Sequence, residues 1–146
     1  MDEVRILASG LGFPEGPVAM PDGSVILTDI RNGRCPRVAP DGTVSVFSAT
    51  GGGPNGLAVG PDGALYLCNN GGSRYVEGHS MGLGPHPDYK HGSIQRIDPK
   101  TGVAQTLYTQ VNGRTRRWCS RTAARTRRMA ELRDPSLPAV RITSMA

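Results

Sequence analysis

An all-β fold built from repeated four-stranded units is predicted for this 146-residue chain by three observations. The stretch from Phe13 to Asp29, FPEGPVAMPDGSVILTD, returns forty positions later as GPNGLAVGPDGALYLCN, which sets Glu15 against Asn55 and Pro21-Asp22-Gly23 against Pro61-Asp62-Gly63. Pro-Asp-Gly occurs a third time at 40–42. Proline fixes φ at the first turn position, aspartate bonds its own backbone and glycine accepts the positive φ of a tight reversal, so each copy reads as a hairpin turn. Twenty glycines and twelve prolines make up more than a fifth of the chain, where roughly 12% is ordinary, and they punctuate the repeats.

The elements follow in order. Val4 to Leu7 is a short apolar-rich run that reads as an orphan strand ahead of the first repeat. In that repeat a loop carrying one polar residue, Glu15, enters a short apolar strand, and a second apolar run follows the Pro-Asp-Gly turn. Arg31-Asn32-Gly33 turns the chain into a third strand, Arg34 to Ala39, and Pro40-Asp41-Gly42 turns it into a fourth, Thr43 to Ser48, in which Val44, Val46 and Phe47 are apolar. The second copy opens at Gly51-Gly52-Gly53-Pro54 and gives strands near Gly56 to Val59 and Ala64 to Cys68. Residues 71 to 90 are glycine-rich, polar and without periodicity, which predicts a long loop. Strands resume at Gly92 to Ile97 and, after Lys100-Thr101-Gly102, at Val103 to Tyr108. Two four-stranded meanders at a period of about 40 residues are the signature of β-propeller blades. A β-sandwich would explain the turns, but not the recurrence of a whole unit with a polar residue in register.

At Gly113 the pattern stops. Residues 1–112 carry a net charge of −2, whereas 113–146 hold nine arginines against Glu131 and Asp134, which accounts for the overall +5. A block of like charge predicts an irregular or disordered tail. Its mix of Arg, Ala, Thr, Ser and Pro is also what a GC-rich coding sequence yields out of frame. The N-terminus has neither a basic start nor a long apolar stretch, and no apolar run approaches the roughly 20 residues of a membrane helix, so a soluble cytoplasmic protein is expected. Cys35, Cys68 and Cys119 are odd in number and lack CxxC spacing, which indicates neither a disulfide framework nor a zinc knuckle.

Phe13-Pro14-Glu15-Gly16-Pro17, the Pro-Asp-Gly turn, Val25-Ile26-Leu27-Thr28-Asp29 and then Pro54-Asn55-Gly56-Leu57-Ala58-Val59 resemble the regucalcin/gluconolactonase family, six-bladed β-propellers that hydrolyse sugar lactones with a bound divalent cation. The resemblance implies a partial six-bladed propeller over residues 1–112, with blade 1 at about 13–48 and blade 2 at about 51–109, followed by the arginine-rich tail at 113–146. It implies Glu15 as a metal ligand at the top of the central channel, with Ca²⁺ as the cation ahead of Zn²⁺ or Mn²⁺; a hard cation suits carboxylate and amide oxygens. Asn55 and Asn70 are the implied substrate contacts, with Asn69 and Asn70 at the end of an inner strand where a lid would begin. His79, His86 and His91 read as solvated loop residues.

The implied chemistry is metal-assisted hydrolysis, in which the cation polarises the lactone carbonyl and lowers the pKa of a bound water. The family's asparagine and aspartate ligands lie on later blades that this sequence does not show, so a truncated and inactive member is expected, its open strand edges inviting non-specific self-association. The competing reading is a non-catalytic β-repeat module whose tail binds nucleic acid or another polyanion. Trp118 is the only aromatic of that tail, so stacking platforms are lacking.

Overall fold

The computed structural model describes residues 5–79, 81–89 and 91–110, together with the backbone of 140–144. The described residues form ten strands and no helix. β1 is Arg5–Leu11, β2 Pro14–Ala19, β3 Val25–Asp29, β4 Arg34–Val38 and β5 Val44–Ala49. β6 is Pro54–Val59, β7 Leu65–Asn69, β8 Ser93–Ile97, β9 Ala104–Tyr108 and β10 Val140–Ser144. β2-β3-β4-β5 and β6-β7-β8-β9 are two antiparallel four-stranded meanders, the consecutive blades expected from the repeat.

Each Pro-Asp-Gly turn closes in the same way. The amides of Gly23, Gly42 and Gly63 donate to the carbonyls of Met20, Ala39 and Gly60 at 3.0, 2.9 and 3.0 Å. Asp22, Asp41 and Asp62 each accept the amide two residues on, from Ser24, Thr43 and Ala64. The aspartate therefore supplies the second bond of the turn, as its short side chain predicts.

The antiparallel register settles which end of the blades carries what. Pro14 pairs with Asp29, Asp29 with Arg34 and Arg34 with Ala49, while Pro54 pairs with Asn69 and Asn69 with Ser93. All these residues lie at the end opposite the Pro-Asp-Gly turns. Glu15, Asn55 and the long β7–β8 loop therefore share one end of the structure.

Burial follows from stacking blade on blade. Ile26 of β3 joins Val18, Cys35, Leu57, Leu65, Leu67 and Ile97 in the cluster between the two blades, while Leu27 joins Ala8, Leu11 and Val38 in a cluster between β1 and blade 1. Alternate residues of β3 thus face opposite neighbours, and both faces are covered. Each fully buried leucine or isoleucine contributes about 1.5–3 kcal/mol relative to an exposed one. The blade–blade cluster is therefore the largest apolar contribution holding the pair together.

Three expectations need correction. Glu15 and Asn55 lie within β2 and β6 rather than in loops before them, because Glu15 pairs with Thr28 and Pro54 with Asn69. β1 is longer than Val4 to Leu7 and is not an orphan: it runs to Leu11 and pairs in parallel with β10, Arg5 opposite Val140 and Leu11 opposite Ser144. At 140–144, accordingly, the tail is a strand and not irregular chain. Val4 and the rest of the arginine-rich segment, residues 113–139 with Trp118 and Cys119, lie outside the described residues. Among the described residues no helix is long and apolar enough to cross a membrane.

Candidate functional site

β2 and β6 are the first strands of their blades, and they pack directly on each other at the end that carries Glu15 and Asn55. The approach is close. Gly16, at φ +50°, has room only for a hydrogen: an added Cβ would stand 2.8 Å from the Leu57 amide nitrogen and 3.0 Å from the Asn55 carbonyl oxygen. The glycine after Glu15 is thus what lets the two candidate residues stand side by side.

Thr28 fastens them. Its hydroxyl is wholly buried and lies 2.9 Å from the Glu15 carbonyl oxygen and 2.8 Å from that of Asn55. One hydroxyl proton serves two acceptors on two blades, so the backbones of Glu15 and Asn55 are registered by a single group. The Glu15 side chain is left exposed, and Asn55 is half-buried.

Beneath this pair the blades repeat a buried polar anchor. Asp29 Oδ1 accepts the amides of Gly12 and Phe13 at 3.0 and 3.2 Å, and Oδ2 accepts from Asn32 Nδ2 at 2.7 Å and Arg34 Nε at 3.1 Å. The carboxylate is completely buried but fully partnered, the condition under which a buried charge is tolerated. Forty positions on, Asn69 takes the same place. Its Oδ1 accepts the amides of Gly53 and Gly71, both at 2.9 Å, and its Nδ2 donates to Gly51 O at 2.8 Å and Gln95 Oε1 at 3.4 Å. Gln95, also buried, donates to Thr50 O at 3.3 Å. Both anchors tie the chain entering an inner strand to the end of the second strand, and so fix where Glu15 and Asn55 emerge.

Asn69 therefore belongs to the second strand of its blade rather than an inner one, and its amide is spent on the scaffold. Asn70 is half-buried beside it; its Oδ1 accepts the Gly72 amide at 2.9 Å and its own amide donates to Gly53 O at 2.9 Å. Its side-chain oxygen is thus bonded to the start of the long loop. The loop closes on itself through Leu83 N to Arg74 O at 2.8 Å and Arg74 N to Gly84 O at 2.9 Å. It reaches blade 1 where the Arg31 guanidinium lies 5.4 Å from the centre of the Tyr75 ring, a cation–π contact. Burial pushes the Tyr75 phenol above its ordinary pKa. His79, His86 and His91 are exposed, and His86 Nδ1 accepts the Asp88 amide at 3.1 Å.

As a cation site the arrangement is partial. Glu15 and Asn55 offer hard oxygen donors of the type that Ca²⁺ takes, but Ca²⁺ needs about six to eight oxygens. Among the described residues no three His, Cys, Asp or Glu side chains gather at one point. The side chains of Glu15 and Asn55 alone would supply too few donors for such a site.

Thr28, Asp29 and Gln95 were not singled out from sequence. The signal for the first two was present, as a polar pair ending an otherwise apolar strand in register with Cys68-Asn69.

No protein-family model matches the chain, and no curated protein matches it significantly. Among solved structures, the PQQ-bound aldose sugar dehydrogenase from Streptomyces coelicolor matches over 72% of this chain and 32% of its own, with a TM-score of 0.50 and 21% identity. The gluconolactonase XC5397 from Xanthomonas campestris matches over 71% of this chain and 50% of its own, with a TM-score of 0.42 and 19% identity. The chain spans about a third of the first protein and half of the second. At this identity the dehydrogenase likeness bears on the fold alone, and it agrees with propeller-type blades.

Proposed function

We propose that this chain forms two consecutive blades of a sugar-lactone hydrolase of the gluconolactonase type, with Glu15 giving one carboxylate to a divalent cation and Asn55 standing beside it toward the substrate. The observation that carries the reading is the Thr28 hydroxyl, which holds Glu15 and Asn55 together on adjacent inner strands at the end where the long loop opens. The Glu-Gly-Pro and Pro-Asn-Gly elements that suggested the family thus meet in space, for a physical reason.

When bound, the cation would polarise a lactone carbonyl and acidify a water. Ca²⁺ is the cation best matched to the donors present, ahead of Zn²⁺ and Mn²⁺. The protein's own part is positioning. Gly16 allows the inner strands to touch, Thr28 registers them, and Asp29 and Asn69 hold the entry loops. Two donors cannot orient a nucleophile, so hydrolysis belongs to a longer assembly with further blades, and the 146-residue chain alone is inactive.

The test starts from the coding DNA beyond codon 112. A shifted frame there should encode further blades with Pro-Asn and Pro-Asp-Gly motifs. The frame-restored protein should open gluconolactone only with a divalent cation, and Glu15→Gln should remove cation binding and turnover together. Full activity in Glu15→Gln, or no blade-like coding in any downstream frame, contradicts the reading.

A further inference from the structure

The outer strands carry a repeated seat for the next blade, and among the described residues no turn sits on its third copy. Leu7, Phe47 and Leu107 occupy the same place in β1, β5 and β9, each five positions from the matching point of its blade's turn sequence or, for β1, forty residues before Phe47. The outer-hairpin turn of blade 1 sits on the first: a Cβ at Gly42 would stand 2.6 Å from the Leu7 carbonyl oxygen. The outer-hairpin turn of blade 2 sits on the second, where a Cβ at Gly102 would collide with the Phe47 carbonyl oxygen. In both cases only glycine permits the approach, and both turns hold it at positive φ, +90° and +70°.

The side chains repeat as the turns do. Leu7 packs against the cluster between β1 and blade 1, and Phe47 against the cluster between the blades. The residues that follow them, Ala8 and Ser48, are buried at 7% and 3%. In β9 the equivalents are open: Leu107 is 40% exposed and Tyr108 67%. Val103, at the start of that edge, is 64% exposed.

From this continuity with the existing blade–blade interface we infer that β9 of one chain docks a second copy of the same chain head to tail, seating the second copy's Gly42 turn on Leu107 as its own Gly102 turn seats on Phe47. The second copy carries both parts that the seat requires, the glycine turn and, on β3 and β4, the blade face behind it. Such a contact joins two different surfaces, so it leaves a further β9 open and propagates until a ring closes. In the second copy the turn is already seated on Leu7, and β1 is equivalent to the first copy's β9. Docking therefore displaces β1, with its β10 partner, from the seat it shares.

Light scattering on the full 146-residue chain over a dilution series tests this directly. The wild type should show masses of two or more chains that fall on dilution. Leu107→Glu, which places a charge in the seat but alters an exposed residue, should be monomeric at every concentration with its strand circular dichroism intact. Met81→Glu, at a 63% exposed apolar site on the long β7–β8 loop, should assemble as the wild type does. If Leu107→Glu loses strand signal, Tyr108→Glu takes its place. A monomeric wild type, assembly that survives the charge in β9, or equal dissociation by Met81→Glu, as general surface stickiness would give, each overturns the proposal.

Discussion

Thr28 and Asn55 stand on different blades, 27 residues apart, and the Thr28 hydroxyl lies 2.8 Å from the Asn55 carbonyl oxygen while also reaching that of Glu15. Because the hydroxyl is wholly buried, its loss leaves two carbonyls without this donor. Thr28→Val keeps the shape and removes the bonds, and should lower unfolding free energy by about 1–3 kcal/mol. Thr28→Ser, which retains the donor, should cost clearly less. Urea titration followed by circular dichroism separates the two.

Gly16 supplies a second test of the same contact. Gly16→Ala places a Cβ 2.8 Å from the Leu57 amide nitrogen at a backbone conformation that alanine resists. Strain of this kind costs about 1–3 kcal/mol, before the clash is counted. Gly63→Ala shares a positive φ but meets nothing within 4 Å. The midpoint of urea unfolding should fall further for Gly16→Ala; equal falls would mean that the approach of β2 to β6 relaxes without cost.

The Asn69 anchor should not tolerate a carboxylate in place of its amide. Asn69→Asp sets a carboxylate oxygen against the carbonyl oxygen of Gly51 and the Gln95 Oε1, both acceptors, inside the structure. An uncompensated buried charge costs about 3–5 kcal/mol, a large share of the stability of a domain of this size. Raising acidity should restore part of the loss in Asn69→Asp by protonating the new carboxyl. Thermal melts at two pH values read this, and an Asn69→Asp protein as stable as the wild type would remove Asn69 from its structural role.

Acid should loosen the turns. Hydrogen bonding from Arg96, with smaller contributions from the Ala64 amide and Tyr66, holds the Asp62 carboxyl below its ordinary 3.8, and the Thr101 and Lys100 amides do the same for Asp98. A carboxylate whose folded pKa is depressed stabilises above its unfolded value and loses that contribution as pH falls through the folded one. The loss therefore belongs below about pH 3.8, not near neutrality. Both groups are solvent-exposed, so the effect on the melting temperature should be small, and smaller still in Asp62→Asn.

Much of this was legible in the sequence because the repeat is local. Pro-Asp-Gly turns and apolar runs such as Ile26-Leu27 and Leu65-Tyr66-Leu67 specify hairpins by themselves, and the forty-residue register aligns Glu15 with Asn55. What the sequence concealed depends on distant partners. β1 gave no sign of its pairing with β10, since five residues near the C-terminus are its neighbours through space alone. Thr28 reads as one more residue of a strand until the next blade brings the Asn55 carbonyl to it. The sequence places Asn70 where a long loop begins, but it does not show that the Asn70 side-chain oxygen accepts the Gly72 amide there.

Whether Glu15 and Asn55 bind a cation together, as proposed, is measured most directly by amide-resolved NMR of the 146-residue chain titrated with Ca²⁺, which detects even weak binding. The amide signals of Glu15, Gly16 and Asn55 should move together along one binding curve, and Glu15→Gln should abolish the movement. Shifts confined to the acidic turns at Asp22, Asp41, Asp62 and Asp98, or an unchanged curve in Glu15→Gln, would contradict the proposal.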